Sequence, residues 1–441
     1  MTDVAHPKGL AYIVGNEAAE RFSYYGMKSI LVVFMTTHLV TRSGEPNTMT
    51  SAEATFWYHI FGVGNYVFPL LGALLADVVW GKYRTIIALS LVYCAGHGVL
   101  AFNSTRYGLA IGLMLIAVGA GGIKPCVSAH LGDQYRGSAA GLISSGYSFF
   151  YFAINVGALL STLLIPLVLT TYGPHVAFAL PGVFMALATL VFWFGRHRYV
   201  RTEPTTWRAY RAVFRGRENL IIWRNLSLLY FLLSTFWALF DQIGSSWVLQ
   251  AERMERVVTL PFFGSFEILS SQVQAINPLL ILVLTPLFPL KIYPWCERRG
   301  RFGTADRLWL GMALAGLSFV IAGVAQMRIN SAVNVSVLWQ VGAYVALTIA
   351  EVLVSVTSLQ LAYTQAPRAS ASLVTSLYLI SVALGNLWTA LYNGWLASVL
   401  GGPETARYYL FFAVLPVVTS VAARGAVMSL QARESEVRVK T

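Results

Sequence analysis

The chain has 441 residues, of which 56% are apolar and 11% are charged, and its mean hydropathy is +0.63. Soluble domains carry about 25% charged residues, so this composition excludes an ordinary soluble domain and indicates a membrane protein. The net charge of +12 does not indicate a nucleic-acid partner, because most of the basic residues lie in the connections between apolar segments.

Apolar runs of 18 or more residues predict about twelve transmembrane helices. The connections on the side that holds both termini contain seventeen Lys and Arg residues, and the opposite connections contain six. This excess predicts that both termini are cytoplasmic. The runs lie near residues 10–40, 54–79, 85–103, 106–129, 138–168, 176–195, 222–250, 268–290, 306–326, 334–362, 369–397 and 408–429.

The first run is long and charged, which is unlike a cleaved signal peptide, and none is expected. Cys94, Cys126 and Cys296 are odd in number, lie in apolar surroundings and lack metal-ligand spacing. We therefore predict that the three cysteines are packing residues and that they form neither a disulfide framework nor a metal site.

The longest polar interruption divides the runs into two sets of six. Residues 1–197 and 220–441 are predicted to form six-helix bundles, joined by a cytoplasmic linker over 198–219. In the linker, Trp207, Tyr210 and Phe214 share one helical face, which predicts an amphipathic helix on anionic headgroups; a solvated basic loop is the alternative. The fold class predicted is an all-α membrane protein that resembles the major facilitator plan, with a midplane site between its halves.

The stretch NEAAERFSYYGMKSIL, residues 16–31, places charges inside the first predicted helix. A charge at the bilayer centre costs about 3 kcal/mol, so the stripe is predicted to face a bundle interior or a wet cavity. An ion pair that only locks helices together is the alternative, but it needs neither four charges nor two tyrosines. At 100° per residue the stripe contains Glu17, Glu20, Arg21, Tyr24 and Lys28, with Tyr25 at its edge.

Three later runs also contain ionisable residues: Lys124 after GAGG, Asp241 one turn after Trp237, and Glu351 one turn before Ser355. Each of these could be a helix-pairing device. Together with the first run they make four acids and three bases, so one carboxylate lacks a counter-charge. A desolvated carboxylate without a counter-charge tends to bind a proton, which predicts proton uptake and release as ion pairs exchange.

Opposite charges in one cavity suit a zwitterion that carries an amine and a carboxylate with an amide between them. Glu351 could hold the amine, and Lys28 or Lys124 the carboxylate. Each neutral candidate could equally be an interhelical hydrogen bond or an interfacial anchor. The candidates for the amide and the walls are Asn155, Asn277, Tyr24, Tyr25 and Tyr66.

Four stretches occur in the order typical of one family: EAAERFSYYG from Glu17, GALLADVVWGKYRT from Gly72, GAGGIKPCVSAHLGDQY from Gly119 and FYFAINVGAL from Phe150. In the second half, FWALFDQIGSSW, QAINPL and the run with Glu351 are also similar. The chain therefore resembles the proton-dependent oligopeptide transporters of the major facilitator superfamily over nearly its whole length.

The resemblance implies a proton-coupled symporter that imports di- and tripeptides by alternating access. It implies no enzymatic activity, no metal, no cofactor beyond protons, a monomer among membrane lipids, and a bacterial inner membrane. By position it assigns proton coupling to Glu17, Glu20, Arg21, Lys124 and His59, substrate binding to Tyr24, Tyr25, Lys28, Tyr66, Lys124, Asn155, Trp237, Asn277, Glu351 and Ser355, and gating to the pairs Lys28 with Asp241 and Lys124 with Glu351.

The sequence departs from the family pattern at three positions. Lys28 stands where arginine is usual, which removes a planar fork for a substrate carboxylate; Asp241 replaces glutamate, and Tyr378 replaces tryptophan.

The same fold carrying another small solute, such as a peptide-like drug, a modified amino acid or nitrate, is the first alternative. An intramembrane enzyme is disfavoured because G-x-S-x-G, HExxH and paired intramembrane aspartates are missing, and a passive channel because salt-bridge gates suit a carrier.

Overall fold

The structure is a computed structural model that describes residues 6–136, 138–204, 217–260, 264–300, 302–365 and 371–440. The described residues form two compact units. One unit takes in the described residues of 6–50 and 64–204, and the other takes in those of 51–63 and 217–440. Residues 205–216, which include the aromatic face predicted for the linker, lie outside the described residues, so the linker helix and the 198–219 boundary stay predictions.

Five helices are formed by the described residues that precede residue 205. The last of them is interrupted at Gly173, whose backbone (φ 79°, ψ 178°) is not helical. Pro174 follows and cannot donate a backbone hydrogen bond, so two spans meet here. The helices are α1 (Leu10–Thr37), α2 (Ser51–Leu74, extended by a π-helical turn Leu75–Val79), α3 (Lys82–Phe102), α4 (Arg106–Gln134) and α5 (Ala140–Phe194).

The helices that follow residue 216 are more often broken. A 3₁₀ turn, Asp241–Gly244, joins the first two of them, and π-helical turns at Phe288–Ile292, Val352–Val356 and Tyr392–Leu396 join later pairs. They are α6 (Arg217–Phe240), α7 (Ser246–Glu252), α8 (Ile276–Leu287, after a 3₁₀ turn Ser270–Ala275), α9 (Tyr293–Arg299), α10 (Thr304–Asn330), α11 (Leu338–Glu351), α12 (Thr357–Gln365), α13 (Ala371–Leu391), α14 (Ala397–Leu400) and α15 (Ala406–Lys440).

A short hairpin lies between α7 and α8. Strands β1 (Val257–Leu260) and β2 (Gly264–Glu267) are antiparallel, with Val257 opposite Glu267. The guanidinium of Arg256 pairs with Glu252 at 3.5 Å and with Glu267 at 3.0 Å, which ties the hairpin to the end of α7.

Nine helices of the described residues are long and apolar enough to cross a bilayer. One of them, Gly141–His197, contains the break at Gly173 and therefore counts as two spans. Adding α1, which carries the predicted charges, and the 21-residue α13 accounts for the twelve predicted spans. The prediction of an all-α membrane protein is confirmed.

Close backbone packing surrounds the predicted charge stripe. A Cβ atom added to Gly157 on α5 would lie 2.5 Å from the carbonyl oxygen of Ala18 and 3.2 Å from the Cβ of Arg21. A Cβ on Gly72 of α2 would collide with the backbone of Gly122, in the GAGG run of α4. Glycine at these positions lets α1 approach α5 and lets α4 approach α2, as small residues commonly do between membrane helices.

Gly157→Ala is expected to destabilise the protein by about 1–3 kcal/mol, because overpacking a tight contact forces the helices apart. Gly141→Ala on the same helix is the matched control, since a Cβ there would meet nothing within 4 Å and alanine favours a helix by about 1 kcal/mol over glycine. Thermal unfolding in detergent measures both variants. Equal unfolding midpoints for Gly157→Ala and the unmodified protein would contradict the packing described above.

Candidate functional site

The acidic motif of α1 forms a compact ion cluster. Glu17 and Glu20 are 2% and 3% exposed. The Nε atom of Arg21 lies 2.6 Å from Oε1 of Glu17 and 3.2 Å from Oε2 of Glu20. Two buried carboxylates therefore share one guanidinium, and Lys124 of α4 also interacts electrostatically with Glu20. The predicted stripe is formed, and its acids and its arginine meet.

Tyr24 is the centre of the cationic part of the stripe. The ammonium of Lys124 lies 4.3 Å from the ring centroid of Tyr24 and 4.8 Å from that of Tyr66. Lys28 lies 6.0 Å from the Tyr24 centroid. Both lysines are thus placed over aromatic rings, where the ring quadrupole attracts a cation. The site thus keeps two positive charges near neutral aromatic rings.

The tyrosine pair is fixed from two directions. The side chain of Asn65 donates a hydrogen bond to the hydroxyl of Tyr24 at 2.8 Å, and the Tyr25 ring meets the Tyr24 ring edge-on at 5.3 Å. The hydroxyl of buried Tyr24 therefore has a polar partner, while its ring makes the cation–π contacts with Lys28 and Lys124. Asn155, by contrast, donates to the carbonyl of Tyr151 on its own helix at 2.9 Å.

Glu351 ends α11 and is held by neutral groups of its own unit. The amide of Asn277 donates to Oε2 of Glu351 at 2.8 Å and to the hydroxyl of Thr348 at 3.2 Å. Ser355 donates to the backbone carbonyl of Glu351 at 2.6 Å, so its link to Glu351 is through the backbone. The π-helical turn Val352–Val356 begins directly after the acid, and such turns are frequent at functional sites.

Asp241 belongs to a buried chain of hydrogen bonds. The amide of Asn386 donates to Oδ2 of Asp241 at 2.6 Å, and its oxygen lies 2.7 Å from Nδ1 of His59. Nε2 of His59 lies 2.9 Å from the hydroxyl of Ser245. Because the amide oxygen only accepts, Nδ1 of His59 must carry the proton. In the neutral imidazole Nε2 then accepts from Ser245 and is the nitrogen that can be protonated.

An aromatic wall surrounds Trp237. The ring of Tyr378 meets it edge-on at 5.4 Å, and Phe240 does so at 5.5 Å. Gly385 makes room for this wall, since a Cβ on it would lie 2.6 Å from the Cβ of Trp237. Tyr378, where the family pattern has tryptophan, thus also packs in the wall.

The predicted residues fall into separate clusters, each inside one unit. Four polar partners were not predicted from the sequence: Asn65, Ser245, Thr348 and Asn386. The two asparagines could have been found, because an asparagine within an apolar run usually needs a buried partner. Both follow a glycine, in GVGN and ALGN. The roles assigned to the predicted residues stay predictions.

The model of the POT family matches residues 83–222 and 221–399. The chain is 36% identical over 377 residues to Peptide transporter family 1 of Drosophila melanogaster, covering 75% of this chain and 49% of that one. It is 34% identical over 390 residues to Solute carrier family 15 member 1 of Homo sapiens, covering 75% and 53%. The chain thus spans about half the length of the curated relatives it matches.

Solved structures of similar size share the fold. The crystal structure of the POT family transporter PepTSo is 33% identical, covers 97% of this chain and 99% of its own, and superposes with a TM-score of 0.87. The structure of an auto-inhibited POT family peptide transporter is 34% identical, with coverages of 96% and 97% and a TM-score of 0.85. With these matches and its family motifs, the chain belongs to the POT family and is an integral membrane protein.

Proposed function

We propose that this chain is a proton-coupled symporter that imports di- and tripeptides by alternating access, and that it is not an enzyme. The observation that carries the proposal is the buried cluster in which Glu17 and Glu20 share Arg21 beside Lys124. The names of its relatives, which describe peptide transporters, support the choice of cargo. Protons are the coupling ion, and the mechanism uses no metal or organic cofactor.

Proton coupling would use the shared guanidinium. When Glu20 takes up a proton, Arg21 can pair fully with Glu17, and Lys124 loses its electrostatic attraction to the Glu20 carboxylate. The lysine then becomes available for a substrate carboxylate or for a gate. Exchange of partners among these groups would thus link proton occupancy to the two states of the carrier.

The driving force is sufficient for accumulation. One proton crossing 100 mV releases about 2.3 kcal/mol. At about 1.4 kcal/mol per decade, this supports roughly fortyfold accumulation of a neutral peptide before any pH gradient is added.

His59 provides a second proton-handling group in the proposal. Its Nε2 faces the hydroxyl of Ser245, which can turn to accept a hydrogen bond if that nitrogen becomes protonated. Asn386 joins His59 to the carboxylate of Asp241, so a charge on the imidazole would be stabilised through the amide. Protonation here would alter how strongly Asp241 attracts any other cation.

The proposed substrate contacts follow the charges of a peptide. Glu351, which neutral groups hold in place, would accept the terminal amine, and Lys28 or Lys124 would take the terminal carboxylate. Tyr24, Tyr25, Tyr66, Asn155, Asn277, Trp237 and Ser355 would supply the walls and the neutral hydrogen bonds. The gate pairs, Lys28 with Asp241 and Lys124 with Glu351, stay predictions.

The location and orientation are also proposals. The excess of basic residues on one side supports cytoplasmic termini. The proposal also places the chain in a bacterial inner membrane as a monomer.

Uptake in proteoliposomes tests the function. Purified protein under an imposed pH and voltage gradient should accumulate labelled dipeptide and release it unchanged, as product analysis would verify. Competition with tripeptides, peptide-like drugs, modified amino acids and nitrate separates the peptide proposal from the same fold with another cargo. Failure of any dipeptide to accumulate, or its hydrolysis, would overturn the proposal.

Glu20→Gln is expected to abolish accumulation driven by a pH gradient, because the amide cannot exchange a proton. Counterflow of labelled against unlabelled dipeptide should continue, since exchange needs no net proton movement. Lys124→Ala should likewise lose the driven uptake. Glu45→Gln, in an exposed loop, is the matched control. Driven uptake at the unmodified level in Glu20→Gln would refute the coupling role.

Glu351→Gln is expected to weaken binding of free dipeptides by about ten- to a hundredfold, because hydrogen bonds to a charged group contribute about 1.5–3 kcal/mol. N-acetylated dipeptides lack the ammonium and should lose much less. Competition assays measure both classes. The glutamine keeps the shape of the side chain and an oxygen that can accept from Asn277, so an equal loss for both classes would exclude Glu351 as the amine contact.

Asn386→Leu is expected to destabilise the protein by about 1–3 kcal/mol, because Asp241 and His59 would each lose a buried hydrogen-bond partner. In the double variant with Asp241→Leu part of that loss should be recovered, since replacing both partners of a buried pair by apolar groups costs less than replacing one. Thermal unfolding of the three variants provides the measurement. Strict additivity of the two single losses would argue against the bridge.

A further inference from the structure

A stripe of buried polar side chains on α3 lies next to the acidic motif of α1. Ser90, Tyr93 and His97 are spaced by three and four residues, so they share one face of the helix, and all three are at most 1% exposed. Nε2 of His97 is hydrogen-bonded to the hydroxyl of Ser23 at 2.9 Å. Ser23 belongs to the motif itself, three residues after Glu20.

His97 is held rigidly by its surroundings. The ring of Tyr93 stacks on its imidazole with centroids 5.1 Å apart and planes 24° from parallel. The backbone of α5 approaches His97 closely at Gly182, since a Cβ there would lie 2.9 Å from the Cβ of His97. Gly119 of α4 lets its backbone approach Tyr93 in the same way, since a Cβ there would lie 2.6 Å from the Cβ of Tyr93.

The stripe also lies close to the charges of the motif. Tyr93 interacts electrostatically with Glu20, Arg21 and Tyr24, all on α1. These are the charged and titratable groups that α1 presents to the Tyr93–His97 pair, and α1 also presents the Ser23 hydroxyl to Tyr93. Beside the glycine contacts of α4 and α5, the backbone of Phe178 on α5 interacts with His97. His97 thus touches the motif through one neutral hydrogen bond, while its neighbour Tyr93 lies within the electrostatic reach of the ion cluster.

We propose that His97, together with Ser23, is a positioning residue for proton coupling. Its bond to Ser23 fixes the rotation and depth of α1 at the turn that follows Glu20, and so sets how Glu20 faces Arg21 and Tyr93. Charged constellations act only within narrow tolerances, about 0.5 Å in position, so loosening this bond changes the proton affinity of Glu20 without touching substrate. The inference rests on the proposed function for its consequence, but its geometry can be tested without transport.

His97→Gln and His97→Leu separate the hydrogen bond from the volume. Glutamine can reach Ser23 and keep the bond, whereas leucine fills a similar space without it. The first measurement is the pH dependence of Glu20 modification by a hydrophobic carbodiimide, followed by mass spectrometry, because only the protonated carboxyl reacts. We expect His97→Leu to shift the midpoint by about 0.7 pH unit, the shift that about a fivefold change in proton affinity produces, and His97→Gln to leave it unchanged.

The second measurement compares driven uptake with counterflow in proteoliposomes. We expect His97→Leu to lower driven uptake about fivefold while counterflow stays within twofold of the unmodified protein. Ser23→Ala should show at least the same effect, and adding His97→Leu to it should cause no further loss, because the bond that His97→Leu removes is already missing in Ser23→Ala. His130→Leu is the matched control: His130 is also buried, in the same unit, but packs on Phe192 and Tyr199 away from the motif.

The outcomes are distinct. An unchanged labelling midpoint in His97→Leu overturns the inference, as does an equal shift in His130→Leu or a parallel loss of counterflow and driven uptake. If the unmodified protein accumulates no dipeptide, the proposed function fails, and the labelling comparison still decides whether His97 positions Glu20.

Discussion

The cost of placing charge inside an apolar bundle is the constraint on which the rest of this molecule depends. The sharing of Arg21 by Glu17 and Glu20 meets that cost only in part, because two acids compete for one guanidinium. A buried pair is weak evidence for stability, and the proposed function instead uses this cluster as a set of partners that can be exchanged. The glycine contact at Gly157, which brings α5 against α1, allows the cluster to be buried at all.

The same constraint is met differently among the described residues of the second unit. Glu351 and Asp241 are each held there by the amide of an asparagine, Asn277 or Asn386. An amide donates a hydrogen bond to a carboxylate but brings no positive charge of its own. In the first unit, the rings of Tyr24 and Tyr66 lie close to the ammonium of Lys124 and likewise bring no counter-charge. In the proposed carrier, substrate and protons would compete for these groups.

Departures from the family pattern fit into this arrangement. Tyr378 still packs against Trp237, so the aromatic wall survives the replacement of tryptophan. Lys28 lies near the ring of Tyr24, which suits the compact ammonium of lysine but does not offer the planar fork of arginine. Asp241 is one methylene shorter than glutamate, and Asn386 bridges it to His59, so the amide extends the reach of the acid within its unit.

The sequence by itself determined the helical class, the number of spans and the face of α1 that carries the charges. These follow from hydropathy and from a rotation of 100° per residue, which are local properties. Only the tertiary structure decided which side chains meet across helices: Asn65 with Tyr24, Asn386 with His59, and Ser23 with His97, which is 74 residues away. Such pairs depend on glycine contacts and on helix breaks such as Gly173, and neither leaves a periodic signal in the chain. Asn155, predicted for the pocket, donates to the carbonyl of Tyr151 on its own helix, and hydropathy alone does not distinguish the two uses of an asparagine.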